Sequence, residues 1–176
     1  MLKMGVIGYG YWGPNIVRNF NTANGSQVTF VCDMNAQTLK NKVKKAYPGL
    51  KTTTDIDELI NDADVDAVAI VTPVFTHFEI AQKALNAGKS IFVEKPFTYT
   101  VDEAEKLVNL AEKKNLKIMV DHTFLYTGAV RKIRQLIDDG TLGDLYYFDS
   151  MRVNLGLFQH DVNVVWDLAP HDIAIM

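Results

Sequence analysis

Gly8-Tyr9-Gly10-Tyr11-Trp12-Gly13 follows directly on the apolar run Leu2-Lys3-Met4-Gly5-Val6-Ile7 and directly precedes Pro14. The glycines therefore fall where a buried strand turns sharply into a helix. Gly8 permits the tight turn, Gly10 lets a pyrophosphate approach backbone that any Cβ would block, and Gly13 lets helix and strand pack closely. Pro14 suits the first helical turn: its missing N–H costs nothing there, and the remaining free N–H groups and the positive end of the helix dipole face a phosphate. This glycine spacing alone specifies little. The next apolar run, Val28-Thr29-Phe30-Val31-Cys32-Asp33, ends on a carboxylate twenty residues after Gly13, where an acid that binds a ribose hydroxyl is expected. Together they point to a dinucleotide site lined by Gly8, Gly10, Tyr11, Trp12, Gly13 and Asp33. Asp33 favours NAD over NADP, because a carboxylate repels a 2′-phosphate and Met34 offers no compensating charge.

Short apolar runs alternate with amphipathic stretches along the chain, the pattern of βα units that build a parallel sheet covered on both faces. The expected class is α/β, a Rossmann-type doubly wound parallel sheet. Strands are predicted at Leu2 to Gly8, Val28 to Asp33, Ala67 to Val71, Ser90 to Val93 and Lys117 to Val120, with a weaker extended piece near Lys51 to Thr53. Helices are predicted at Pro14 to Asn21, Ala36 to Ala46, Asp55 to Ile60, Thr76 to Ala87 and Val101 to Lys114. The last has Thr100 and Glu103 as a capping box and Ala104, Leu107, Val108 and Ala111 as its apolar face. After Val120 the rhythm changes. A helix from Thr127 to Asp138 presents Val130, Ile133, Leu136 and Ile137 on its buried side, an extended stretch runs from Leu145 to about Leu155, and a helix from Leu168 reaches Met176. A boundary near Asp121 to Tyr126 divides a cofactor domain, residues 1–122, from the beginning of a substrate and oligomerisation domain, residues 123–176, which reads as incomplete.

The 176 residues are 48% hydrophobic and 22% charged, with a net charge of −3, so nothing favours nucleic acid or an anionic membrane as partner. No apolar run is long enough to span a bilayer, and no signal peptide is evident. The single cysteine, Cys32, lies in a predicted strand and reads as buried and inert. A reducing cytoplasm and a small-molecule substrate are the expectation, with no metal site. The lysines at positions 40, 42, 44 and 45 read as a solvated helix face.

Three further motifs carry possible chemistry. Thr72-Pro73-Val74-Phe75-Thr76-His77 lies at the carboxyl end of a strand, where open α/β sheets bind ligands. The Thr72 hydroxyl can reach a diphosphate or ribose; His77 either lines the cofactor or sits on the surface of the following helix. Glu94-Lys95-Pro96 ends the next strand, with Pro96 a candidate for a cis peptide bond and Lys95 either held at the cleft or simply exposed. In Trp166-Asp167-Leu168-Ala169-Pro170-His171 the acid and the imidazole are four apart and share a helical face, which suits an oriented base. The other reading makes Asp167 an N-cap, Pro170 a first-turn residue and His171 incidental.

Taken in order, Gly8-x-Gly10-x-x-Gly13, Asp33, Thr72-Pro73 with His77, Glu94-Lys95-Pro96 and Asp167-x-x-x-His171 resemble the Gfo/Idh/MocA oxidoreductases, the group containing glucose-fructose oxidoreductase and inositol dehydrogenase. The resemblance implies that Lys95, Asp167 and His171 act at the substrate, while the glycines, Asp33, Thr72, Pro73, His77 and Glu94 line a nicotinamide dinucleotide. The stretches from Gly10 to Asn15 and from Asn154 to Asp161 are similar to those of bacterial nucleotide-sugar 3-dehydrogenases. Reversible hydride transfer between a sugar or nucleotide-sugar secondary alcohol or ketone and the nicotinamide, and a homo-oligomer at full length, follow from the resemblance. The rival readings are a glycoside-cleaving member with transient oxidation and a non-catalytic NAD(H)-binding protein or fragment.

Overall fold

The computed structural model describes residues 1–152 and 162–176. The chain forms two compact units, Met1–Val120 and Asp121–Met176. In the first, β1 (Leu2–Ile7), β2 (Ser26–Cys32), β3 (Lys51–Thr53), β4 (Ala67–Ile70), β5 (Ser90–Val93) and β6 (Ile118–Val120) make one sheet in the order β3-β2-β1-β4-β5-β6, and every pairing is parallel. The order reverses beside β1, and the carboxyl ends of the strands at such a switch point are where open α/β sheets bind ligands.

Alternation along the strands sorts the core into two layers, as period-two geometry requires. Met4, Val6, Ala67 and Ala69 pack with Ile16 and Val17 of α1 (Gly13–Thr22), whereas Ile7, Val68 and Ile70 pack with α4 (Ile56–Ile60), α5 (His77–Asn86) and α6 (Val101–Lys114). Val28 and Phe30 break the parity by lying in opposite layers. The cause is a bulge: Met4 pairs with Val28 and Gly5 with Phe30, leaving Thr29 as an extra residue.

Three strands were expected to reach one residue further, to Gly8, Asp33 and Val71, and the fourth, β5, ends at Val93 as expected. Single ladder bonds do continue there: Gly8 N–H donates to Cys32 O at 2.8 Å, Asp33 N–H to Thr53 O at 3.2 Å, Val71 N–H to Ile7 O at 2.8 Å and Glu94 N–H to Ile70 O at 3.0 Å. The helix expected over residues 36–46 is interrupted. Between α2 (Ala36–Thr38) and α3 (Lys44–Ala46) a π-helical turn spans Leu39–Val43, with the Lys44 N–H bonded to Leu39 O. Leu39 and Val43 stay buried across it, so side-chain periodicity gives no sign of the change in hydrogen bonding.

In α6 the capping box forms in both directions, with Glu103 N–H donating to Thr100 Oγ1 at 3.3 Å and Thr100 N–H to Glu103 Oε2 at 3.1 Å. Asn115 ends the helix in the left-handed region at φ 54°, a conformation asparagine tolerates better than most residues. Leu107 and Ala111 are buried, but Val108, expected beside them, is 42% exposed.

The second unit holds a 3₁₀ turn (Thr123–Tyr126), α7 (Gly128–Asp138) and α8 (Val164–Ile175). The apolar side expected for α7 is incompletely covered: Val130, Leu136 and Ile137 are half-buried and Ile133 is exposed. No strand forms in 145–152, where Tyr146, Tyr147 and Met151 are exposed. An extended segment becomes a strand only when a neighbour takes its N–H and C=O groups. The rest of that predicted stretch, and the motif from Asn154 to Asp161, fall largely on residues 153–161, outside the described residues. Among the described residues no helix is long and apolar enough to cross a membrane.

Two measurements test this core. Thr100→Ala removes an N-cap and should cost about 1 kcal/mol in urea unfolding without altering the cooperativity. Cys32 is buried, and its thiol is pushed up from 9.0 to about 12, first by desolvation and then by the nearby Asp33, Asp55 and Glu58 carboxylates. The thiol is therefore protonated at pH 8, and a disulfide reagent should modify it only as fast as the unit opens; modification at the rate of free glutathione would contradict this burial.

Candidate active site

The carboxyl ends of β1, β2, β4 and β5 carry the glycine loop, Asp33, Thr72-Pro73 and Glu94-Lys95-Pro96. Gly8 has φ +99°, and a Cβ there would lie 2.5 Å from Val71 O. Both facts exclude any other residue without a shift of backbone. A Cβ on Gly13 would lie 2.5 Å from Gly8 O, so the start of α1 is pressed onto the turn itself. Gly10 differs: a Cβ there would meet nothing within 4 Å. Its glycine character is not demanded by the protein's own packing, and it opens a cradle to a ligand. Trp12 stands at the N-cap of α1 with no side-chain cap bond, which leaves the positive end of the helix available to an anion. The Tyr11 and Trp12 rings are exposed and meet edge to face at 5.6 Å.

Asp33 is locked in place by main-chain donors. Tyr9 N–H donates to its Oδ2 at 2.7 Å and Asn35 N–H to its Oδ1 at 2.8 Å. Each carboxylate oxygen accepts about two hydrogen bonds, so the group retains capacity for ribose hydroxyls. The open cradle at Gly10, the uncapped helix start and this held carboxylate fit a dinucleotide.

The loop after β4 is organised by hydroxyls. Thr76 Oγ1 donates to Pro73 O at 2.7 Å, so in the 2.7 Å contact between Thr72 Oγ1 and Thr76 Oγ1 the proton comes from Thr72. Thr72 thus offers lone pairs, which suit a ribose hydroxyl and not a phosphate oxygen. His77 is not on the surface of the following helix. The ring is 1% exposed, with Nε2 2.8 Å from Thr72 O and Nδ1 3.0 Å from Pro96 O. It is a core residue between two loops, because both carbonyls turn inward there. Lys95 and Glu94 are half-buried, not the exposed loop residues that lysine and glutamate usually become. The Lys95-Pro96 peptide is cis.

In the second unit the cap of α8 is Asn163, whose side chain accepts from Trp166 N–H at 2.9 Å. Asp167 is therefore not the N-cap; it lies in the helix, one turn before His171 on the same face. Pro170 is not in the first turn either: it sits inside the helix, where proline removes an i to i−4 bond and costs about 3 kcal/mol. His171 is 9% exposed and packs edge-on against Phe124, with ring centroids 4.7 Å apart. The Arg152 guanidinium carbon lies 5.0 Å from the Phe124 ring centre. Arg152 holds Asp172 through Nε to Oδ2 at 2.7 Å and Nη2 to Oδ1 at 3.0 Å, and Ser150 Oγ donates to Oδ1 at 2.8 Å. These donors, Arg152 foremost, hold the Asp172 carboxyl below the usual carboxylate range. Nearby, burial lowers the His122 pKa against the opposing pull of Asp121.

The first unit thus brings Gly8, Gly10, Tyr11, Trp12, Gly13, Asp33, Thr72, Pro73, Glu94 and Lys95 to one sheet edge, and the second puts Asp167 and His171 on one helical face. Sequence reading missed the Tyr9 main-chain tie, Phe124, Arg152 and Asp172. Phe124 and Arg152 lie far from His171 in sequence, where no local periodicity signals a contact.

Residues 2–122 match the profile described as an oxidoreductase family with an NAD-binding Rossmann fold. The chain is 35% identical over 180 residues to inositol 2-dehydrogenase of Salmonella typhimurium, covering 99% of this chain and 53% of that protein. It is 32% identical over 181 residues to UDP-N-acetylglucosamine 3-dehydrogenase of Acidithiobacillus ferrooxidans, again covering 99% of this chain and 53% of the relative. The crystal structure of scyllo-inositol dehydrogenase from Lactobacillus casei with bound NAD(H) and scyllo-inositol superposes with a TM-score of 0.76 at 29% identity, over 81% of this chain and 42% of that one. The chain spans about half the length, or less, of the curated relatives it matches. With the sheet order, the glycine cradle and the held Asp33 in agreement, the chain belongs to the Gfo/Idh/MocA oxidoreductase family, with residues 2–122 as its NAD-binding Rossmann fold.

Proposed function

We propose that the whole protein is an NAD-dependent oxidoreductase acting on a secondary alcohol of a sugar, polyol or nucleotide sugar. The observation that carries this reading is the cradle at Gly10, open where a Cβ meets no protein atom, flanked by an uncapped helix start and the carboxylate of Asp33. Relatives named as inositol 2-dehydrogenase and UDP-N-acetylglucosamine 3-dehydrogenase support the substrate class. Asp33 selects NAD, since its carboxylate accepts from a 2′-hydroxyl and repels a 2′-phosphate. Residues 123–176 belong, in this reading, to a substrate and oligomerisation domain of a cytoplasmic homo-oligomer.

When bound, the nicotinamide supplies the two-electron acceptor for the hydride leaving the carbinol carbon. The chain's own residues handle the proton and the charge. The Lys95 ammonium donates hydrogen bonds to the substrate oxygen and stabilises negative charge as its proton leaves. His171 accepts that proton, and Asp167, one turn earlier on α8, takes a hydrogen bond from the other ring nitrogen and so fixes the tautomer.

Gly10→Ala should leave the melting temperature within about 2 °C of the parent, because no protein atom opposes the methyl, yet weaken NAD binding by at least about tenfold in calorimetry. Equal NAD affinity would remove the cradle from the site. Asp33→Asn keeps an oxygen for the Tyr9 N–H but discards the charge; NAD binding should weaken about tenfold or more and the preference over NADP should narrow. Tighter binding of NADP than NAD by the unaltered chain would contradict the assignment. In the full-length protein, assayed with NAD and UDP-N-acetylglucosamine, myo-inositol and scyllo-inositol, Lys95→Met and His171→Ala should each lower kcat by about 100-fold or more with NAD affinity nearly unchanged. A variant with undiminished turnover would deny its residue the role.

A further inference from the structure

We propose that His77 is the positioning residue for Lys95, splicing the β4–β5 ladder at the point where Pro96 breaks it. The role of Lys95 is taken from the reading above; the splice is derived independently of it. Along this parallel pair, Ile70 lies opposite Val93, and the last ladder bond runs from Glu94 N–H to Ile70 O at 3.0 Å. Along a parallel pair each strand donates at every second residue, so on this strand the donor after Glu94 is residue 96, and the carbonyl two residues beyond Ile70 is Thr72 O. Residue 96 is proline and has no N–H. The acceptor nonetheless has a polar neighbour: His77 Nε2 lies 2.8 Å from Thr72 O. The opposite nitrogen, Nδ1, lies 3.0 Å from Pro96 O and 3.3 Å from Phe97 O.

One imidazole therefore lies within hydrogen-bond reach of the carbonyl left without a ladder donor on one side and of the interrupted strand on the other. Carbonyls only accept, so the ring secures Thr72 through Nε2–H or Pro96 through Nδ1–H, and both together when it carries both protons. Lys95 is the residue between the last true ladder bond, at Glu94, and the spliced one, at Pro96. Its backbone is thereby pinned on both sides, which is what a side chain needs if its ammonium group is to be held at one place beside the cofactor. Burial of His77 excludes water from competing for these carbonyls and makes each bond worth more than it would be at the surface.

Amide hydrogen exchange read peptide by peptide, with no substrate needed, tests the splice in this chain. His77→Leu fills a similar volume without donors and should speed exchange by about tenfold in whichever of 95–98 and 72–76 the ring secures, and in both for a ring with two protons, while leaving α6 unchanged. His77→Asn keeps a donor near the Nδ1 position and should restore slow exchange in 95–98 only. His77→Gln keeps one near Nε2 and should restore 72–76 only. Parental exchange in both segments of His77→Leu, or a uniform rise across the whole unit without this split, would overturn the splice. In the full-length protein, turning over whichever of UDP-N-acetylglucosamine, myo-inositol and scyllo-inositol it accepts, His77→Leu should lower kcat by about tenfold, with His77→Asn recovering most of it. If Lys95→Met abolishes turnover while His77→Leu leaves it intact, the positioning role is wrong. Should Lys95→Met keep full turnover, it is the catalytic reading of Lys95 that fails, and the exchange pattern still decides the splice.

Discussion

The turn from β1 into α1 is where backbone meets backbone most closely, and the rest of the first unit is arranged around it. Gly8 adopts φ +99° against Val71 O, and Gly13 sits against Gly8 O, so three stretches of main chain share a space that no side chain can enter. That contact sets how close α1 lies to β1 and β4 to both. Because β1 is the strand beside which the sheet order reverses, the same contact shapes the opening at the carboxyl edge. The helix start stays uncapped by any side chain, and of the three glycines of this turn Gly10 is the one at which a Cβ would meet nothing within 4 Å. Constraint at Gly8 and Gly13 and the lack of a side chain at Gly10 together leave main chain open at this turn, which is what close approach of a dinucleotide phosphate requires.

Around that edge the polar residues are tied mostly to main chain. Asp33 is gripped by Tyr9 N–H and Asn35 N–H, Thr76 donates to Pro73 O, and His77 lies between Thr72 O and Pro96 O. Main-chain groups move only with their strands, so a side chain anchored to them inherits the rigidity of the sheet. This is an economical way to hold a site built from loops, since each loop is fixed by a neighbour's backbone and not by a long flexible side chain. The second unit uses a different device, stacking and charge: Arg152 pairs with Asp172 and lies against Phe124, which in turn packs edge-on to His171.

Much of the fold was legible because parallel strands buried on both faces are short apolar runs, and because caps and stops are local chemistry. The Thr100–Glu103 box and the left-handed Asn115 are examples, each decided by residues four or fewer apart. The places where reading by pattern went astray have equally definite reasons. The π turn at Leu39–Val43 changes hydrogen bonding without changing which side chains are apolar. Val108 continues the apolar stripe of α6 but stands at its edge, 42% exposed. Pro170 was placed in a first turn because the cap was sought at Asp167, whereas Asn163 begins the helix earlier.

What the sequence by itself determined is the set of groups and their order along the chain: the glycine loop, Asp33 twenty residues later, Thr72-Pro73, Glu94-Lys95-Pro96 and the Asp167–His171 pair. Strand period and βα alternation then carried the first four to one edge of one sheet, since the ends of parallel strands must lie together. Only the tertiary structure decided what each group does with its hydrogen bonds. That His77 is buried, and that its two nitrogens meet carbonyls of different loops, depends on the register of β4 against β5 and on the absence of an N–H at Pro96 where that register calls for one. Likewise the packing of Phe124 on His171 joins residues 47 apart in number. Local sequence cannot express such contacts, because they are set by where whole strands and helices come to rest against one another, and a residue's neighbours across a sheet leave no mark on its neighbours along the chain.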